Sequence, residues 1–243
     1  MIDAVLFDLD DTLHDDTEAY RRAAADVADE VAREREVSAE RLLASYILET
    51  EAFWKRLSPE DFRKPLPGVR ERMWSTALAD VGVIDAALAA RSAESYNRRR
   101  NHYLQLWPGV AELLLDLRAA GCKLALVTNG FAETHYEKIE LLGLRESFDA
   151  IFIADEVGML KPDPRLFAHA CERLGVAPER AVMVGDRYHR DVTGAHAAGL
   201  GTIWLDIHAE CIPAGGPEPD VVVASVGEVA RAIAELRARR SRR

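Results

Sequence analysis

The hydrophobic pattern of the chain changes period twice. It opens on an apolar run, Val5-Leu6-Phe7, that breaks abruptly into Asp8-Leu9-Asp10-Asp11-Thr12. A short continuous run bounded by polar residues reads as a strand buried on both faces, and residues 2–9 are assigned to it. Ligands in an open parallel sheet bind beyond the carboxyl ends of the strands, which is where Asp8 and Asp10 would sit. With side chains alternating, those two acids point to one side and Leu9 to the other. Two neighbouring carboxylates repel, so they call for a cation or a shared proton.

From about residue 16 to 106 the period is helical, with scarcely any strand signal. Tyr20, Ala24, Val27 and Val31 form one apolar face. Ser38 is placed as the N-cap of a second helix carrying Leu43, Tyr46 and Ile47 inward. Ser58-Pro59-Glu60-Asp61 carries the signature of a helix start, and Pro65-Leu66-Pro67-Gly68 that of a break. Helices over about 69–80 and 85–104 complete an all-α block.

After Trp107-Pro108-Gly109 the pattern alternates between helix and strand, as a parallel sheet with crossovers requires. A helix over 110–120 precedes strands at 122–127, 150–153, 181–184 and 202–205. Between these lie helices at about 133–142, 164–174 and 191–198, closed by Gly143, Gly175 and Gly199. A loop over 208–219, a short strand at 220–223 and a helix over about 226–238 finish the chain. The expected fold is α/β: a doubly wound, Rossmann-like parallel sheet core made of residues 1–15 and 107–243, with residues 16–106 inserted as an all-α unit.

Composition narrows the function. The 243 residues suffice for a sizeable core, and no apolar run reaches the length of a membrane span. The N-terminus lacks the basic and apolar regions of a secretory signal, so a cytoplasmic location is expected. Cys122, Cys171 and Cys211 are odd in number, far apart and without metal-ligand spacing. A net charge of -10 argues against nucleic acid as a partner, because binding to its backbone depends on Lys and Arg displacing counterions. Nothing in the sequence sets the oligomeric state.

The chemistry gathers at strand ends. The second strand closes on Val127-Thr128-Asn129-Gly130 before a helix N-terminus, a natural corner for phosphate. Pro162 presents Lys161 in extended backbone at a strand-to-helix junction, and the fourth strand runs into Gly185-Asp186, with Asp191 five residues on. Asp191 alone also reads as a helix N-cap. His14, His189 and His196 lack ligand spacing, so zinc is not expected. Clustered acids without Cys or His favour a hard cation, and carboxylates with phosphate oxygens and water are how Mg²⁺ is usually held.

With these motifs in this order, the chain resembles the haloacid dehalogenase-like hydrolase superfamily over nearly its whole length. The resemblance implies a phosphatase of small phosphorylated metabolites, with Asp8 as the nucleophile that forms an aspartyl-phosphate and Asp10 as the acid and base. It implies Mg²⁺ bound by the Asp8 side chain, the Asp10 backbone carbonyl and Asp186, with Asp191 in support. Thr128 and Asn129 would hold the phosphoryl group, Lys161 would offset charge, and the helical insertion would be a mobile cap. Trp54, Trp74 and Arg98 in that insertion are candidates for setting substrate choice. Arg187 stands where the family often has a small hydroxyl residue and Arg190 where it often has Asn or Thr. A dehalogenase lacks the second aspartate of the first motif, so Asp10 argues for phosphoester hydrolysis; a phosphomutase stays open. A signalling receiver domain shares the acids, Thr and Lys but places its acceptor later in the sheet and has no helical insertion.

Overall fold

The computed structural model describes residues 2–58, 60–61 and 67–240. In chain order the elements are β1 Ala4–Phe7, α1 Asp16–Arg35, α2 Ala39–Arg56, α3 Val69–Asp80, α4 Ala86–Tyr103, α5 Val110–Ala119, β2 Lys123–Thr128 and α6 Ala132–Leu141. Then follow β3 Ala150–Ile153, α7 Ala154–Val157, α8 Pro164–Leu174, β4 Ala181–Gly185, α9 Thr193–Ala197, β5 Gly201–Leu205, β6 Val221–Val223 and α10 Val229–Arg240. The chain divides into two compact units, residues 1–15 with 105–243 and residues 16–104. The return to the first unit thus falls two residues before the expected 107.

Among the described residues the first unit has six strands, all parallel, in the order β3-β2-β1-β4-β5-β6. The sheet is α/β and doubly wound, with β6 joining as a sixth parallel strand. β1 lies at its centre, with Leu6 opposite Ala125 on one side and Met183 on the other. Strand alternation sorts its four buried residues into two cores. Val5 and Phe7 pack with Leu124, Leu126, Val182 and Val184 under apolar residues of α5 and α10. Ala4 and Leu6 pack with Ala125, Val127 and Met183 under Leu166, Phe167 and Cys171 of α8. Helices on both faces explain why the strands read as unbroken apolar runs. Because the chain leaves β1 toward β2 on one side and returns to β4 on the other, the strand order reverses at β1, and the carboxyl edge there is the crevice of a doubly wound sheet.

The second unit packs α1 against α2 and α4, and α3 against α2 and α4. Ser38 does cap α2, its Oγ accepting from Arg41 N–H at 3.2 Å, and Asp85 caps α4 through Leu88 N–H at 2.9 Å. Ala24, Val27 and Val31 of the α1 face are buried as their spacing required. Ser58 and Asp61 close a turn, with Ser58 N–H and Oγ donating to Asp61 at 2.8 and 2.7 Å, and α3 begins only at Val69. Pro59, Pro65 and Leu66, on which the expected helix start and break partly rested, lie outside the described residues. Trp74 is fully buried, stacked on Tyr46 with ring centroids 4.0 Å apart and edge-on to Tyr96 at 6.4 Å. It belongs to the core of this unit, which corrects its reading as a group that selects substrate. Arg98 is exposed and paired with Glu94 at 2.8 Å. No helix among the described residues is long and apolar enough to cross a membrane.

Candidate active site

β1 ends at Phe7, and Asp8 N–H still extends the ladder to Val184 C=O at 3.0 Å. The chain then turns at once: Leu13 N–H reaches Leu9 C=O at 2.9 Å, and Asp11 adopts a left-handed φ of 58°. Strand alternation therefore stops before it can align the two acids. Asp8 and Asp10 meet different partners, which corrects the expectation of a strand running through residue 9.

Asp8 is buried beside a lysine. Its Oδ1 accepts from Leu9 N–H at 2.8 Å and lies 2.8 Å from Lys161 Nζ, and no described residue bonds to its Oδ2. Lys161 also reaches Asp191 Oδ1 at 2.7 Å, with the lysine and Asp191 both 1% exposed. Burial raises the Asp8 carboxyl above its ordinary pKa, with Asp186 and Asp10 adding to this against the pull of Lys161. Burial likewise pushes Asp191 up to about 7, with Lys161 opposing and Asp8 and Asp186 adding. For Lys161 burial works against the charge, but Asp191 and Asp8 prevail and its pKa is raised. Lys161 is thus a fixed ammonium among acids short of positive charge.

The backbone under this cluster is tied down. Asn129 side-chain N–H donates to Lys161 C=O at 2.8 Å, and its Oδ1 accepts Lys161 N–H at 2.8 Å. One N–H and the oxygen of that amide are engaged by the lysine's main chain, so the Asn129 side chain positions Lys161. Asp191 was open to reading as an N-cap; it lies instead inside a π-type turn, Tyr188–Val192, where its Oδ2 accepts Arg187 N–H at 2.9 Å. A Cβ at Gly185 would stand 2.3 Å from Asp191 Cγ, so only glycine lets this carboxylate lie against β4. Asp186 receives Thr12 Oγ1–H at 3.1 Å on one oxygen, and His208 Nε2 at 2.8 Å and Arg187 Nε at 3.0 Å on the other.

Asp8, Asp186 and Asp191 each offer a carboxylate oxygen within 4.8 Å of the other two. Three hard oxygen donors with a net deficit of positive charge suit a hard divalent cation, so the residues fit the metal that the motifs imply. Thr128 is buried at the end of β2, beside the strand that delivers Asp8.

Asp10 occupies a second cluster, which sequence reasoning missed. Lys138 Nζ lies 2.6 and 2.7 Å from its two oxygens, His14 Nε2 is 2.9 Å from Oδ1, and His135 Nε2 is 3.5 Å from Oδ2. Lys138, His14 and His135 are buried. Burial alone would raise the Asp10 carboxyl, but Lys138 and His135 beside it win and hold it well below the ordinary range. The available signal was helical spacing: His135, Lys138 and Ile139 share the buried stripe of α6, where a lysine needs a partner.

A doubly wound parallel sheet whose central strand ends on a lysine-paired carboxylate, with further acids converging from the next strand, defines a hydrolytic or group-transfer enzyme of the α/β class. The family of haloacid dehalogenase-like hydrolases matches residues 2–199, and the chain belongs to it. It is a phosphatase of that family. It is 35% identical over 207 residues to a glyceraldehyde 3-phosphate phosphatase of Methanopyrus kandleri, covering 84% of this chain and 83% of the relative. It is 33% identical over 238 residues to the N-acylneuraminate-9-phosphatase of Mus musculus, covering 93% of this chain and 91% of the relative. Among solved structures, the putative HAD-hydrolase YfnB of Bacillus subtilis, bound to magnesium, superposes with a TM-score of 0.75 at 23% identity, covering 95% of this chain and 98% of that one. At that identity the likeness speaks for the fold alone.

Proposed function

We propose that the protein is a Mg²⁺-dependent phosphatase that hydrolyses a small phosphorylated metabolite through an aspartyl-phosphate on Asp8. The observation that carries this reading is the state of the Asp8 carboxylate: one oxygen is pinned by Leu9 N–H and Lys161, and the other is left without a partner among the described residues. A nucleophile needs that division, with one atom fixed and one lone pair aimed.

In the first step Asp8 Oδ2 attacks phosphorus, a P–O bond to the carboxylate forms, and the ester P–O bond breaks. The departing alkoxide takes a proton from Asp10. In the second step water attacks the same phosphorus, Asp10 accepts the water proton, and phosphate leaves with the Asp8 carboxylate restored. General acid and base help of this kind contributes on the order of 10²- to 10⁴-fold each way. Asp10 is held well below the ordinary carboxyl range, so it is ionised at the start and has to take up a proton before it can act as the acid. Lys161 faces the charge that builds on the phosphoryl oxygens, and fixed cations in a buried site are strong at that task. Asp8, Asp186 and the Asp10 carbonyl would hold Mg²⁺, with Asp191 beside them, and the metal when bound would neutralise phosphoryl oxygens. Thr128, at the end of the neighbouring strand, and Asn129 after it are assigned to the phosphoryl group.

The helical unit, residues 16–104, is assigned the choice of substrate, as a cap. The relatives are named for phosphorylated metabolites of different size, a triose phosphate and an N-acylneuraminate phosphate, so the reading stays at that class. A dehalogenase expels halide without an acid, and there the hold on Asp10 by Lys138 and His14 would have no use. The test is a panel of phosphorylated metabolites compared on kcat/KM with Mg²⁺ and after exhaustive chelation. One or a few small monoesters should be hydrolysed only with the metal; full activity without it would remove the metal from the reading.

A further inference from the structure

Asp10 is gripped unevenly. Its Oδ1 accepts from two donors, Lys138 Nζ at 2.6 Å and His14 Nε2 at 2.9 Å. Its Oδ2 has Lys138 at 2.7 Å, while His135 Nε2 stands off at 3.5 Å, at the limit of hydrogen bonding. Oδ2 therefore has one close donor where Oδ1 has two, on a side chain that is 29% exposed. The gripping residues are themselves fixed. Lys138 and His135 stand one turn apart on α6, and His135 Nδ1 lies 3.2 Å from Phe131 C=O. The imidazole of His135 fills the place where a side chain at Gly130 would begin, 1.8 Å from that Cβ position.

We propose that Lys138 is a positioning residue which, with His14, pins Oδ1 of Asp10 and leaves Oδ2 as the single oxygen that carries the proton in both steps. The inference rests on the assignment of Asp10 as acid and base. Lys138 acts through Asp10 by fixing, with His14, which oxygen faces the leaving group and the water. An Asp10 side chain free to rotate would present the working lone pair only part of the time, and misplaced catalytic groups lose rate steeply.

The test is a double-mutant cycle on the full chain with Mg²⁺, measured on an alkyl phosphate. Lys138→Met should lower kcat roughly 10- to 100-fold, less than the loss in Asp10→Asn, with KM within about threefold of wild type. Lys138→Gln keeps a hydrogen-bond donor and should recover part of that loss. The Asp10→Asn/Lys138→Met pair should be no slower than Asp10→Asn alone. With an aryl phosphate, Lys138→Met should keep the burst of phenolate and slow the turnover that follows. If Lys138→Met does not fold, Lys138→Gln enters the same cycle. Losses that multiply in the double variant would overturn the proposal, as would a rise in KM with kcat unchanged, which would mark Lys138 as a substrate ligand. Wild-type kcat in Asp10→Asn would overturn the acid-base assignment itself and this inference with it. Multiplying losses on top of an impaired Asp10→Asn would remove only the inference.

Discussion

Replacing Lys161 by Met removes the ammonium between two buried carboxylates while keeping the bulk of its stem. Lys161 lies 2.8 Å from Asp8 and 2.7 Å from Asp191, and all three are buried. Removing one partner of a buried ion pair costs about 3–5 kcal/mol, because the other charge is left uncompensated. Here the remaining acids can escape by taking a proton, so the cost depends on pH. Asp191 stands at about 7 with the lysine present and rises further without it, and Asp8 moves the same way. Between the ordinary unfolded value and a raised folded value, the folded state holds a proton that the unfolded chain has released. Stability then falls with rising pH by about 1.4 kcal/mol per unit for each such group. The raised pKa of Lys161 itself adds stability that is fully present below the unfolded lysine value and is lost as pH rises from there through the folded one, outside the window of interest. The deficit of Lys161→Met relative to wild type should therefore be small, about 1 kcal/mol, at pH 5.5 and should widen to about 4 kcal/mol by pH 9. Urea unfolding followed by circular dichroism at both pH values, with chelator present, measures it. A deficit equal at the two pH values, or larger at the acid one, would refute the charge argument.

Two further expectations concern packing. Gly130→Ala would place a Cβ 1.8 Å from His135, forcing the imidazole away from Asp10 and Phe131, and should cost about 1–3 kcal/mol as a lowered Tm together with slower turnover. An unchanged Tm would mean that α6 shifts freely, against the close fit described. Trp74→Ala should destabilise the chain by about 3–5 kcal/mol through loss of the stack on Tyr46, whereas Arg98→Ala should change stability by no more than about 0.5 kcal/mol. Thermal unfolding of both variants checks this, and a mild Trp74→Ala would contradict the core assignment.

The fold was readable because its signals are local. Continuous apolar runs mark the strands, left-handed glycines at 143, 175 and 199 stop the helices, and Ser38 caps α2 from one residue away. The acids of the strand ends were readable for the same reason. What the sequence hid depends on distant partners. Lys138 meets Asp10 across 128 positions, and a helical lysine reads as solvated until the loop after β1 is seen against α6. Asn129 reads on the line of the chain only as a group beside a helix start, and only the arrival of Lys161, 32 residues later, shows its amide tied to that residue's backbone. The turn at Asp11 broke the alternation on which the alignment of Asp8 and Asp10 was argued, since one left-handed residue redirects everything after it. His208 and Arg187 reach Asp186 from a loop and a turn that carry no periodicity at all.

The central claim is a covalent phosphoryl group on Asp8, and the most direct measurement is to trap it. Asp10→Asn keeps the nucleophile and removes the group that activates water, so an aryl phosphate, which leaves without protonation, should load the enzyme faster than it is released. Rapid quenching of Asp10→Asn with an aryl phosphate and Mg²⁺, followed by digestion and mass spectrometry, should find one phosphate on the peptide containing Asp8, matched by a burst of phenolate. Asp8→Asn under the same conditions should show neither. A phosphate on any other residue, or turnover of Asp8→Asn near the wild-type rate, would contradict the account.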